Sequence, residues 1–334
     1  MIGDLLDFYN GNIDTGQSWG CKKLDDHYPF KKNFAIHCGA AGSGKTDILS
    51  FMEVTQAIRN KKKVLCYFDE GTLRMHYLRL IGAWYGKKVF DTYPFEKDPA
   101  KRIKFHISRD EIISGYEEIC KYITIIDNTN EALAQNKTIT ALLNAFMIHI
   151  DKGDVQSVII DPKNAFSADN SKAFNGNYEY EKKLLGEMRQ FQQKNDIKLT
   201  LTVHPTKGAR MTKHKEKSSK DDGDYIKGIY VGGQPKPVDL FDSENGAVNE
   251  ARADDSLTFH RYRNVEELSA YSLIHVRKIK EEETGGKNTD DNDPIFVYKN
   301  KSTWRWMFDD VDIMLKAKSE QPSPQGSIGS ELPF

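Results

Sequence analysis

Cysteine is scarce in this sequence: four residues in 334, at positions 21, 38, 66 and 120, with no Cys-x-x-Cys pair among them. That spacing excludes a zinc ribbon and a disulfide-stapled scaffold, and thiols so placed suit a reducing compartment. Long apolar runs are also missing, since none approaches the roughly 18 residues that a membrane span needs. The first 30 residues carry Asp4, Asp7 and Asp14 and no apolar core of secretory type, so the expectation is a soluble, cytoplasmic protein with no membrane partner. Net charge is missing too: 48 basic side chains face 49 acidic ones, a formal charge of -1. No global positive field holds a polyanion, and any contact with nucleic acid must come from local clusters. No internal repeat is present.

What is there belongs to a folded body. Hydrophobic residues make up 38% of the chain, with 17 Phe and 15 Tyr, far from the aromatic-poor signature of disorder. The length allows one large α/β domain or two small ones.

Residues 2–10 place Ile2, Leu5, Leu6, Phe8 and Tyr9 at near-helical spacing, which predicts a short amphipathic segment over 1–11 whose partner is its own domain or a neighbouring subunit. Gly11 to Lys32 reads as turn-rich. Phe34–Cys38 is a short apolar run ending in glycine and predicts a buried strand. Helical spacing over Thr46–Asn60 and a second apolar run at Val64–Phe68 complete a βαβ unit. The alternation continues with helices near 73–85, 137–151 and 179–194 and strands at Ile123–Ile126, Val158–Ile160 and Leu199–Val203, the pattern of a mainly parallel sheet covered on both faces. Strand-like runs at Leu257–Tyr262, Leu273–Ile279, Ile295–Tyr298 and Thr303–Phe308 follow without helices between them, so an antiparallel section is expected at the sheet edge. The acidic stretch from Glu281 to Asp293, around Gly285-Gly286, reads as a solvated hairpin loop. The end of the chain, rich in Ser, Pro, Gln and Gly, is expected to be disordered, with the folded domain spanning 12–313 and the tail 314–334.

The chemistry centres on Gly39-Ala40-Ala41-Gly42-Ser43-Gly44-Lys45-Thr46, a phosphate-loop pattern that follows a strand and opens a helix. Gly39, Gly42 and Gly44 let the backbone approach phosphate, with Ser43 between them, while the helix N-terminus adds positive potential. Lys45 neutralises phosphate charge and the Thr46 hydroxyl suits Mg²⁺. Asp161, ending the buried run Val158–Ile160, is the second magnesium candidate. Glu70, at the end of the strand after the phosphate-loop helix and thus expected close to the first strand, is the candidate base that polarises water. Asp69 is the alternative, and both acids could instead cap the helix near Thr72. His204 ends another strand and is placed to sense a γ-phosphate. After it come Lys207, Arg210, Lys213, Lys215, Lys217 and Lys220 against a single acid, Glu216, a candidate polyanion-binding loop.

These residues resemble the RecA-like ATPase domain of the ring-forming replicative helicases, the DnaB, Twinkle and phage primase-helicase family. The matching features run in order: Leu24-Asp25, Gly39–Thr46, the strand ending at Glu70, Ile160-Asp161-Pro162, Val203-His204-Pro205 with Lys207, Ala253-Asp254-Asp255 leading to Arg261, and Val276–Lys280. The resemblance covers about residues 12–310. It implies a RecA-like P-loop NTPase fold with a mainly parallel central sheet flanked by helices and an antiparallel C-terminal edge. It also implies ATP or another NTP or dNTP with Mg²⁺, a homo-oligomeric ring of hexamer type, and single-stranded DNA gripped by the loops after Asp161 and His204. In that family Lys45 and Thr46 bind phosphate and magnesium, Asp161 holds the metal, Glu70 activates water and His204 couples the γ-phosphate to the DNA loops. A Lys and an Arg two residues apart on the late strand reach the neighbour's nucleotide. Here those positions are Lys278 and Lys280, with Arg277 as the alternative finger in a shifted register.

No primase or zinc-binding module precedes Leu24, so priming is expected to be done elsewhere. The terminus Glu331-Leu332-Pro333-Phe334 resembles the acidic Pro-Phe tip of single-stranded-DNA-binding proteins and is a candidate docking tip for replication proteins. The function this implies is a phage-type replicative DNA helicase. The alternatives are a filament-forming recombinase or repair ATPase, and a helicase loader or scaffold that binds nucleotide without unwinding.

Overall fold

A computed structural model of the chain describes residues 2–12, 15–92, 103–127, 133, 138–166, 177–209, 212–216 and 223–320. In chain order the helices are α1 (Ile2–Tyr9), α2 (Lys22–His27), α3 (Lys45–Asn60), α4 (Leu73–Tyr85), α5 (Arg109–Ile119), α6 (Ile139–Ile150), α7 (Asn177–Asn195), α8 (Gly246–Arg252) and α9 (Ile313–Ser319). The strands are β1 (Phe34–Gly39), β2 (Lys63–Phe68), β3 (Phe90–Thr92), β4 (Ile103–Phe105), β5 (Ile123–Ile126), β6 (Val155–Asp161), β7 (Lys198–Val203), β8 (Tyr225–Ile226), β9 (Ile229–Tyr230), β10 (Asp255–His260), β11 (Tyr271–Ile279), β12 (Ile295–Lys299) and β13 (Trp306–Phe308).

Nine of these strands form one sheet in the order β13-β12-β11-β10-β1-β7-β6-β2-β5. From β10 to β5 every neighbouring pair is parallel, whereas β11, β12 and β13 add on antiparallel. The expected parallel centre and antiparallel edge are therefore both present. The period of two along each strand sorts side chains onto two buried faces. Val64, Cys66 and Phe68 of β2 join a core with α3, α4 and α9, while Leu65 and Tyr67 join another with α6, α7 and α8. Among the described residues no helix is long and apolar enough to cross a membrane.

Local signals start and stop the helices. Thr72 accepts from the Met75 N–H at the head of α4, and Gly86 ends it in the left-handed region. Ser108 and Glu111 close a reciprocal capping box on α5.

Four expectations need correction. The 11–32 segment is more than turns: it contains α2, and Trp19, Tyr28 and Phe30 are buried in the core. The folded part runs beyond 313, because α9 buries Ile313, Met314 and Ala317 in the core beneath α3. Only 321–334 of the expected tail lies outside the described residues. Glu70 does not adjoin the first strand, since β7 and β6 separate β1 from β2. The antiparallel pair of β3 and β4 and helix α5 have no counterpart among the expected elements, and the strand expected at Thr303–Phe308 is confined to Trp306–Phe308.

What seats the 15–30 segment is a buried cation. Lys198, 2% exposed, pairs with Glu53, 1% exposed, at 3.0 Å. Its ammonium lies 4.7 Å from the Trp19 ring centroid, 4.8 Å from that of Tyr28 and 5.1 Å from that of Phe30. Removing one partner strands the other charge in the core, so Lys198→Met is expected to cost about 3–5 kcal/mol in chemical denaturation. The double change Glu53→Leu with Lys198→Met should be close to neutral. A single-variant loss below about 1 kcal/mol, typical of an exposed pair, contradicts this reading.

Candidate nucleotide site

The carboxyl ends of the parallel strands gather the chemistry on one edge of the sheet, the place where open α/β sheets bind ligands. The loop from β1 to α3 turns there through Gly42 at φ 74° and Gly44 at φ 90°, a region that penalises any Cβ. Gly44 caps α3, so Lys45 and Thr46 stand at the head of a 16-residue helix whose first N–H groups have no intrahelical acceptor. Lys45 is 5% exposed. The Ser43 hydroxyl is buried without a hydrogen-bond partner, which is the condition of a donor waiting for an oxygen-rich ligand.

Asp161 ends β6, with its carboxylate buried. One oxygen accepts from the Thr46 hydroxyl and the other from the Thr202 hydroxyl on β7. Both proposed magnesium residues are therefore in direct contact, and a buried carboxylate beside a hydroxyl is a hard oxygen donor set of the kind Mg²⁺ takes. The set fits the metal. Thr202 escapes a reading of the sequence because its role depends on β7 lying beside β6, which no local pattern encodes.

His204 follows β7 and is half-buried, with Nδ1 3.4 Å from the Gly39 carbonyl oxygen. A carbonyl can only accept, so Nδ1 carries the proton. Burial, and then the Lys45 ammonium, hold the ring below the usual histidine range, against the opposing pull of Asp161 and Glu70. The ring is accordingly uncharged at neutral pH and stands within electrostatic reach of all three other groups.

Glu70 leaves the end of β2 on the same edge. The Asp69 N–H donates to the Asp161 carbonyl at 3.0 Å, which ties that turn to β6, and Asp69 accepts from the Tyr67 hydroxyl at 3.0 Å. Glu70 itself is exposed, and its backbone is held from behind: His76 donates from Nε2 to the Glu70 carbonyl at 2.9 Å and stacks on Phe68 at 4.5 Å between centroids. Neither acid caps α4, because Thr72 does. His76 is a positioning residue that sequence reading does not single out, although its place one turn into a capped helix puts it within reach of the preceding turn.

Lys207, Lys213 and Lys215 are exposed on the segment that leaves β7 beyond His204. Arg210, Lys217 and Lys220 lie outside the described residues, as does the terminal Glu331-Leu332-Pro333-Phe334 tip.

Lys278 and Lys280 are not brought to this site. β11 runs antiparallel to β10, and Ile279 pairs with Asp255 at the start of β10, whereas the phosphate loop leaves β1 where Gly39 pairs with Phe259. Four residues of strand, about 13 Å, separate the two levels. Lys278 donates to the Glu250 carbonyl, and Lys280 pairs with Asp254 at 3.3 Å. Arg277, on the opposite face of the strand by the period of two, pairs with Asp291.

No protein-family model matches the sequence, and no curated protein matches it. Among solved structures the chain is similar to an ATPase domain, with a TM-score of 0.64 and 15% identity, covering 91% of this chain and 96% of that one. It is also similar to a structure of a DnaB-like replicative helicase and its interactions with primase, with a TM-score of 0.60 and 13% identity, covering 91% of this chain and 65% of that one. What these likenesses show is the fold, the RecA-like architecture of DnaB-type helicase ATPase domains.

Proposed function

We propose that the chain is a nucleotide-driven motor on single-stranded DNA, a replicative helicase subunit that works in a ring, most simply a hexamer. The observation that carries this reading is the meeting of Lys45, Thr46, Asp161 and His204 at one sheet edge, with Glu70 beside them and a lysine-bearing segment leaving directly from His204. The loop amides, Ser43 and Lys45 hold the β- and γ-phosphates of ATP or another nucleoside triphosphate. Mg²⁺, held by Thr46 and Asp161, supplies charge neutralisation on those phosphates when bound. Glu70 takes a proton from the attacking water as its oxygen bonds to the γ-phosphorus and the bond from that phosphorus to the β–γ bridging oxygen breaks, leaving the nucleoside diphosphate and inorganic phosphate. His204, between Lys45 and the segment carrying Lys207, Lys213 and Lys215, reports the state of the γ-phosphate to that segment. With them Arg210, Lys217 and Lys220 complete the DNA-binding set. By the family resemblance Lys278 and Lys280 would reach a neighbour's nucleotide by leaving Glu250 and Asp254, and the Glu331-Leu332-Pro333-Phe334 tip offers a replication protein a dock.

The test is phosphate release with and without oligo(dT), together with salt-dependent binding of the same oligonucleotide. Hydrolysis should rise with oligo(dT). Replacing Lys213 and Lys215 by Gln should weaken binding and flatten the slope of log affinity against log salt by about 0.7 for each phosphate that is no longer neutralised. An unchanged slope would place both lysines on a solvated loop and remove the DNA-binding assignment.

A further inference from the structure

The segment that carries the lysines is tied by a side-chain contact to the chain just beyond β10, the strand beside β1. Residues 212–215 run extended, with the His214 N–H donating to the Gln234 carbonyl at 2.8 Å, the Gly233 N–H to the His214 carbonyl at 3.1 Å and the Lys236 N–H to the Thr212 carbonyl at 2.9 Å. Extended backbone turns alternate side chains to opposite sides: Lys213 and Lys215 are exposed, and the His214 side chain, 9% exposed, turns inward. Its Nδ1 lies 2.8 Å from the Asp224 carboxylate and its Nε2 2.6 Å from the Tyr262 hydroxyl. A carboxylate accepts only, which puts a proton on Nδ1. The same Asp224 oxygen accepts from the Lys215 N–H at 3.0 Å, so the carboxylate fixes both the ring and the backbone next to it.

Tyr262 is 1% exposed, its ring edge-on to His260 at 4.4 Å. It directly precedes Arg263, whose guanidinium donates to the Gly42 carbonyl of the phosphate loop at 3.3 Å. A cavity of about 180 Å³ is lined by Ala40, Gly42 and Ser43 of the phosphate loop and by Pro235 and Lys236. Among the described residues, one path between the two sides runs through His214, Tyr262, Arg263 and Gly42.

We infer that His214 is a positioning residue that couples occupancy of the lysine-bearing segment to the phosphate loop through the Tyr262 hydroxyl. A polyanion drawn to Lys213 and Lys215 pulls on the backbone between them, and His214 transmits that displacement to Tyr262 and so to the Arg263–Gly42 contact. This rests on the functional reading above, because it needs both a nucleotide and single-stranded DNA to bind.

Linkage makes the inference measurable. If nucleotide changes DNA affinity by some factor, DNA must change nucleotide affinity by the same factor, commonly about 5–150-fold between coupled sites. The affinity for oligo(dT) is measured with and without a non-hydrolysable ATP analogue, and the affinity for the analogue with and without oligo(dT). Tyr262→Phe removes one oxygen from a buried ring, and Asp224→Ala truncates a partly exposed carboxylate. In both, each affinity measured alone should stay near wild type while the two coupling factors fall together toward about 1, and basal hydrolysis should persist. Asp224→Asn keeps a carbonyl acceptor for Nδ1 and should restore coupling. A purely structural role would lower stability and leave the factors untouched. Wild-type coupling in both Tyr262→Phe and Asp224→Ala overturns the inference, whereas a wild-type protein with no coupling overturns the functional reading instead.

Discussion

Lys45→Ala is expected to abolish tight triphosphate binding, whereas Glu70→Gln should keep binding and lose hydrolysis by about 10²–10⁴-fold, the usual contribution of a general base. The contrast follows from position. Lys45 is buried at the first residue of α3 behind Gly44, where its ammonium offers charged hydrogen bonds worth about 1.5–3 kcal/mol each. Glu70 is exposed, and in the proposed role of base it would act only as water is activated, so its loss should fall on the transition state rather than on the bound substrate. A fluorescent-nucleotide titration gives the first quantity and single-turnover phosphate release the second. Equal loss of binding in both variants would make Glu70 structural. His76→Ala would then be the informative companion, since it removes the hydrogen bond that holds the Glu70 carbonyl.

Lys280→Ala alone is expected to bind nucleotide and fail to hydrolyse it, and mixing it with Glu70→Gln should restore part of the DNA-stimulated rate. The register of β10 against β11 puts Lys280 at the far end of the sheet from its own phosphate loop, so a catalytic effect from this side chain must reach a different copy of the chain. If the chain works in the proposed ring, mixed assemblies would contain interfaces where an intact Glu70 faces an intact Lys280. Groups acting in this way supply about 10³–10⁵ in rate when they are arginine, and a lysine, lacking the planar fork, should supply less. Lys280→Arg should therefore be tolerated or gain activity. Mixed assemblies that form without rescue would remove the in-trans role. Loss of hydrolysis in Arg277→Ala with a harmless Lys280→Ala would move the finger to the other face of β11, next to Asp291.

The parts of this molecule that can be read from sequence are those whose chemistry is contiguous. Gly39–Thr46 declares its conformation through its glycines and its ligand through Lys45, and β-branched runs such as Val158–Ile160 mark buried strands that end at a usable acid. Strand order is not contiguous information. The expectation that Glu70 adjoins the first strand fails because β6 and β7 insert between β1 and β2, and Thr202 stays hidden for the same reason: it meets Asp161 across a strand boundary. Lys198 shows the limit most plainly. A lysine directly before the expected strand Leu199–Val203 gives no local sign of burial, yet three rings from residues 19–30 and Glu53 from α3 enclose it. Helix α9 is masked by the low-complexity tail that follows it, because only three of its residues are buried, too few to set a period.

If nucleotide hydrolysis drives motion along single-stranded DNA, the motion itself is the direct observable. Displacement of streptavidin from oligo(dT) biotinylated at one end or the other measures it without a duplex, a primase or a loader. ATP-dependent displacement is expected from one end, absent with Lys45→Ala and with Glu70→Gln. Robust DNA-stimulated hydrolysis with displacement no faster than that of Lys45→Ala, from either end, would contradict a motor role and favour the filament-forming recombinase or repair ATPase instead.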